Sequence, residues 1–127
     1  MIITDEKKMY TLNFDEKRRV MKEVNTGVWS KDDFKRFEQA YKSIGNILSA
    51  KPWAKLCDLR TYKVSGINEE LAAYTEWMAN NNLAAAATIV DSAVTQMQMN
   101  KAVEGKFKMK AFLSESEADE WLKSLGF

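Results

Sequence analysis

Trp53-Ala-Lys-Leu-Cys-Asp-Leu59 is the stretch on which the reading of this chain turns. It lies between Pro52 and the polar run Arg60-Thr-Tyr-Lys-Val-Ser-Gly66. A short, mostly apolar run between a proline and a polar exit reads as a strand at the centre of a sheet. Leu83-Ala-Ala-Ala-Ala-Thr-Ile-Val90 reads the same way. Its alanines favour helix by propensity, but a strand covered by helices on both faces takes small residues. Between the two runs, residues 68–80 place Leu71, Tyr74, Trp77 and Met78 on the inward side of a helix that Asn80-Asn81-Asn82 stops. Strand, helix, strand in this order implies parallel strands joined by a crossover.

Outward from this centre, residues 8–14 alternate, with Tyr10, Leu12 and Phe14 on one face. Residues 18–25 form their hairpin partner across Asp15-Glu16-Lys17, and Gly27 closes the hairpin. Ser30 followed by Asp33 resembles a capping box, and Phe34, Phe37, Tyr41, Ile44 and Leu48 recur at helical spacing until residues 50–52. Toward the C-terminus, Asp91-Ser92 opens a third helix that runs to about Glu104, and Gly105 ends it. Lys106–Leu113 alternates lysine with apolar residues, the pattern of an edge strand protected by charge. Ser114 with Glu117 caps a closing helix over Glu115–Leu125, and Gly126 is its C-cap. The expectation is a single α/β domain over residues 1–127. It has a small mixed, largely parallel sheet, opened by a β-hairpin, with about four helices packed on it.

Composition excludes several function classes. A chain of 127 residues with 46% hydrophobic residues supports one packed core. Its charges sum to +1, without the basic footprint of a nucleic-acid binder. "GKFKMK", residues 105–110, is explained by the edge strand, and the acidic helix beside it argues against a nucleic-acid element. No run approaches the roughly 20 apolar residues of a membrane span. The single cysteine, Cys57, excludes an internal disulfide, and a cytoplasmic location is expected. Histidine is absent, so Ser-His-Asp and Cys-His schemes and Cys/His zinc sites cannot be assembled within the chain. No metal, no cofactor and no catalytic activity are expected.

The hairpin and long helix, "WAKLCDL", "AAAATIVDS" and the closing "KAFLSESEADEWLKSL" together resemble the bacterial STAS-like (SpoIIAA-like) domains, in their uncharacterised branch. The resemblance covers nearly the whole chain and rests on element order and apolar texture. It implies a small mixed sheet with helices packed against it. The better-known members are regulatory binding modules, such as anti-anti-sigma factors and the cytoplasmic tails of anion transporters. Sec14-type lipid carriers share the fold class. In the regulatory members a partner kinase phosphorylates a hydroxyl at the start of the helix after the central strand. The matching stretch here is "DLRTYKVSGINEEL", which makes Ser65, followed by Gly66, the candidate phosphoacceptor. No acid precedes Ser65, a departure from the Asp-Ser form of that motif.

Asp58 and Asp91 fall at the carboxyl ends of the two central strands, where open parallel sheets bind ligands. With Arg60, Thr61, Gly66 and Ser92 they form the candidate set for a partner or ligand contact. The plainer alternative makes Asp91 or Ser92 a helix N-cap and pairs Asp58 with Arg60 or a loop amide. Alternation turns Cys57 away from Asp58 and into the core. Met97 and Met99, two residues apart on a helix, cannot share one face, so one is core and the other is free for a partner. Trp29, Trp53, Trp77 and Trp121 each lie at or near an element end, where core packing explains most of them and an exposed apolar patch, for a dimer or a hydrophobic ligand, is the alternative. The expected function is a non-catalytic, self-associating regulatory module that contacts a protein partner through loop 60–68 and the helix after it. The alternative is a carrier or sensor of a lipid or other small apolar ligand, which requires a cavity between helices and sheet.

Overall fold

A computed structural model describes residues 2–63, 66–101, 105 and 107–127 of the chain. Among them, six strands form one sheet in chain order: β1 (Ile2–Thr4), β2 (Tyr10–Asp15), β3 (Val20–Val28), β4 (Trp53–Lys63), β5 (Leu83–Ile89) and β6 (Lys108–Phe112). The pairs β1–β2 and β2–β3 are antiparallel, and β3–β4, β4–β5 and β5–β6 are parallel. Helices α1 (Lys31–Leu48), α2 (Asn68–Asn80) and α3 (Ala93–Lys101) lie between successive parallel strands in the chain, and α4 (Glu115–Ser124) follows β6. The mixed α/β class, the opening hairpin and the edge position of the lysine-rich strand agree with the sequence reading.

One sheet face packs against α1 and α2. Tyr10, Leu12, Met21, Trp53 and Ala86 meet Phe34, Phe37, Tyr41, Ile44 and Leu48 of α1, together with Tyr74 and Met78 of α2. On the other face Val20, Ala54, Leu56, Ala85, Ala87 and Ile89 meet Ala118 and Leu122 of α4. Strands β4 and β5 are therefore covered on both sides. This is the physical reason for the alanine run, since small side chains let helices seat directly on the strand.

Local signals act as the sequence predicts at three helix ends. At α1, Ser30 Oγ accepts from Asp33 N–H, and Asp33 accepts from Ser30 N–H in return at 2.8 Å. At α4, Glu117 N–H donates to Ser114 Oγ. Gly126, at φ +95°, ends that helix with Gly126 N–H on Lys123 O and Phe127 N–H on Leu122 O, a Schellman arrangement. The C-terminus of α1 is held from outside. Arg19, itself left-handed at φ +58°, donates to the carbonyls of Leu48, Lys51 and Pro52. Gly45 of α1 has a packing reason: a Cβ there would sit 2.4 Å from Cη2 of Trp77, so glycine lets α2 lie close on α1.

Beyond shifts of one or two residues at element ends, four departures from the expected boundaries matter to the fold. Strand β1 has no counterpart in the sequence reading, because three residues carry no measurable period. Strand β3 runs on through Gly27 to Val28, so that glycine (φ +81°) sits inside the strand rather than closing the hairpin. Strand β4 continues past Leu59 to Lys63, because Thr61, Tyr62 and Lys63 pair with Thr26, Gly27 and Val28 after a register shift. Loop 60–68 is therefore in its first part a strand extension. The fourth is β6, which is trimmed to Lys108–Phe112.

Arg36 of α1 ties β1 to the body of the fold. Its guanidinium donates to Asp33 Oδ1 at 2.7 Å and to Asp5 Oδ1 at 2.9 Å, and Asp5 also accepts from Met9 N–H. The Ser30 N–H and then Arg36 hold the Asp33 carboxyl at about 2, and Arg36 holds Asp5 below its ordinary value. Both acids bind a proton less readily folded than unfolded. Their stabilisation is thus present above about pH 4 and is lost as pH falls toward the folded value of Asp33. We expect the urea-unfolding free energy to drop by roughly 2 kcal/mol between about pH 4 and pH 2 from Asp33. An Asp33→Asn variant should show a flatter profile over that range.

Candidate functional site

Strand alternation sends Lys55 and Cys57 of β4 to the α2 side of the sheet, and parallel register sets their neighbours. Lys55 lies between Met21 and Ala86, and Cys57 between Glu23 and Thr88. Polar groups thus stand in a row on a sheet face that is otherwise core. Glu23 is 1% exposed and Lys55 8%, so both charges are buried. They satisfy each other: Lys55 Nζ donates to Glu23 Oε1 at 2.8 Å, and Tyr74 Oη of α2 donates to Glu23 Oε2 at 2.9 Å. The ammonium also lies 4.7 Å from the centroid of the Tyr74 ring, within cation–π range.

Burial acts to lower the Lys55 pKa, but the charge and hydrogen bond of Glu23 outweigh it and raise the value, so Lys55 is an ammonium. Burial and then the Glu23 charge push both the Cys57 thiol and the Tyr74 phenol well up, so each keeps its proton. Asn25 Nδ2 approaches Cys57 Sγ at 3.9 Å and continues the polar row.

Lys55 and Cys57 form part of the floor of a cavity of about 730 Å³ between α2 and strands β4 to β6. Thr88 and Ala86 complete the floor; Leu71 and Met78 of α2, Met99 of α3, Phe107 and Met109 supply apolar walls. The cavity exists because small residues, Ala72 and Ala79 on α2 and Ala86 on β5, stand where larger ones would fill the gap. It reaches solvent past the exposed Ala72, Thr75 and Glu76. A second groove, of about 630 Å³ on the α4 side, holds the Arg18–Asp119 and Lys22–Glu115 ion pairs beside Asp15, Phe14 and Leu56.

The residues expected from sequence lie elsewhere. Asp58 points to the opposite sheet face from Lys55 and Cys57. It pairs with Arg60 at 2.7 Å and accepts from Arg60 N–H, and the guanidinium holds its carboxyl below the ordinary value. Thr61 shares a 3.0 Å hydrogen bond with Thr26 across the strands. Ser92 caps α3, accepting from Thr95 N–H at 3.2 Å, and Asp91 is exposed just before it. Gly66 is exposed ahead of α2. None of these six lines the cavity. Ser65 lies outside the described residues. Met97 is exposed while Met99 lines the cavity, the division expected from their spacing.

Glu23, Tyr74 and the role of Lys55 escaped the sequence reading. One signal was available: a lysine at an inward position of an otherwise apolar central strand requires a buried counter-charge. Among the described residues, no group of three or more His, Cys, Asp or Glu side chains could hold a metal ion. No helix among them is long and apolar enough to cross a membrane.

No protein-family model matches the sequence, and no curated protein does. Among solved structures, the chain is similar to an uncharacterised protein of the DUF3478 family with a SpoIIAA-like fold from Shewanella loihica PV-4. The two share 14% sequence identity and a TM-score of 0.69 over 87% of this chain and 90% of the other. At that identity the likeness concerns architecture alone. With the strand order and helix placement above, it gives this chain the SpoIIAA-like fold.

Proposed function

We propose that this protein is a non-catalytic binding domain for a small, mainly apolar molecule held between α2 and the sheet, with a carrier or sensor role. The cavity of about 730 Å³ carries the reading. Ligand sites occupy clefts of about 300–1,000 Å³, mostly apolar and with few polar groups, whereas an ordinary domain interior leaves few voids larger than a water. The absence of catalysis is supported by the state of the polar groups. Lys55 is charged and so is no amine nucleophile, Cys57 is a thiol rather than a thiolate, and both Glu23 oxygens hold donors.

The test fills the cavity from its floor. Wild-type protein is expected to bind the neutral fluorophore N-phenyl-1-naphthylamine. Ala86→Leu should bind it at least about tenfold more weakly while retaining its circular dichroism spectrum, since a branched side chain occupies the same volume. Equal binding by both proteins, or none by the wild type, would remove the reading.

A second reading, a cytoplasmic regulatory module that self-associates or binds a protein partner, draws on Val94 and Met97. These are 59% and 52% exposed on α3, and Leu113 is exposed after β6. A monomer at high concentration in sedimentation equilibrium would leave it only the partner.

A further inference from the structure

We propose that the ligand presents an uncharged hydrogen-bond acceptor, a carbonyl of the ketone, amide or ester kind, to the Lys55 ammonium at the cavity floor. This rests on the cavity reading above and gives it a head-group chemistry.

An ammonium has three N–H bonds. Among the described residues, the hydrogen-bond acceptor on Lys55 Nζ is Glu23 Oε1, and the Tyr74 ring covers another side. The remaining donor capacity belongs to a side chain that lines an apolar cavity. A buried donor without an acceptor is costly, so a ligand that brings one gains beyond its apolar contact.

Charge then selects among acceptors. Lys55 and Glu23 sum to zero, and the Glu23 charge is spread further by the Tyr74 hydroxyl. A carboxylate on Lys55 would bring a second negative charge close to Glu23 and leave the site at net −1 among apolar walls. Desolvation penalises that arrangement as strongly as attraction to Lys55 favours it. A cationic head is excluded by Lys55 and finds both Glu23 oxygens engaged. A carbonyl takes the donor and adds no charge.

The experiment displaces N-phenyl-1-naphthylamine from the wild-type protein at neutral pH with chain-matched probes: 2-decanone, decanoate and 1-decene. 2-Decanone is expected to compete about tenfold better than either of the others. In the double variant Glu23→Leu/Lys55→Met, which removes both charges together, the three should compete within about threefold of one another. The carbonyl stretch of bound 2-decanone should lie at lower frequency in the wild type than in that variant. If decanoate or 1-decene matches 2-decanone in the wild type, or the ketone advantage survives in the double variant, the head-group assignment is overturned and the cavity reading stands. If the fluorophore does not bind at all, both fall.

Discussion

Replacing Lys55 with alanine is expected to lower the unfolding free energy by about 3–5 kcal/mol, the range for removing one partner of a buried ion pair. The loss comes from what remains. Glu23 stays 1% exposed, holding the Tyr74 hydroxyl but no cation, so its carboxylate is left without a counter-charge in a low-dielectric interior. Urea titrations of the wild type and the variant at neutral pH check it, and a loss below about 1 kcal/mol would show that the pair does not carry this share of the stability. Glu23→Leu combined with Lys55→Met should recover most of the loss, because exchanging a buried pair for apolar side chains of similar volume is often neutral or stabilising.

Trp53→Ala is the second large effect, expected at about 3–5 kcal/mol. Trp53 is fully buried at the first position of β4, in the core shared with α1 and α2. It also carries polar connections. Its indole N–H donates to Asn81 O at 2.7 Å, and its backbone N–H donates to Asn82 O at 3.1 Å. One residue thus fastens the start of the central strand to the turn between α2 and β5. Truncation removes the ring and leaves the Asn81 carbonyl without its indole donor. Trp53→Phe keeps most of the apolar volume and loses the indole hydrogen bond, so its cost should stay near about 1–2 kcal/mol. Equilibrium denaturation of both variants separates packing from the hydrogen bond. Equal losses would mean that the bond, and not the ring, dominates.

The two variants mark different degrees of legibility. Trp53 stands out in sequence as a large aromatic at the head of an apolar strand, and its burial follows from local pattern. The Glu23–Lys55 pair joins residues 32 positions apart, and Tyr74 joins Glu23 across 51. No spacing rule within one element connects them. Asp58 and Arg60, two residues apart, were legible for the opposite reason: their pairing is local, and it uses up the chemistry that made them candidates. Ser92 likewise reads as polar at a helix start and proves to be a cap.

What the sequence determined by itself is everything written in short-range terms. The stripe of Phe34, Phe37, Tyr41, Ile44 and Leu48, the Ser30–Asp33 box, the limits of α2 and the order of elements from β2 to α4 all follow from residues within a few positions of one another. Periodicity and capping depend on backbone geometry that repeats every few residues. Tertiary structure alone decided the rest. The register of β3 against β4 and β5 sets Glu23, Lys55, Cys57 and Thr88 in one row. The seat of α2 against α1, close at Gly45, places Tyr74 over that row. The cavity beside them is a volume left between elements, and a volume depends on where whole elements stop against one another, which no single stretch of chain encodes.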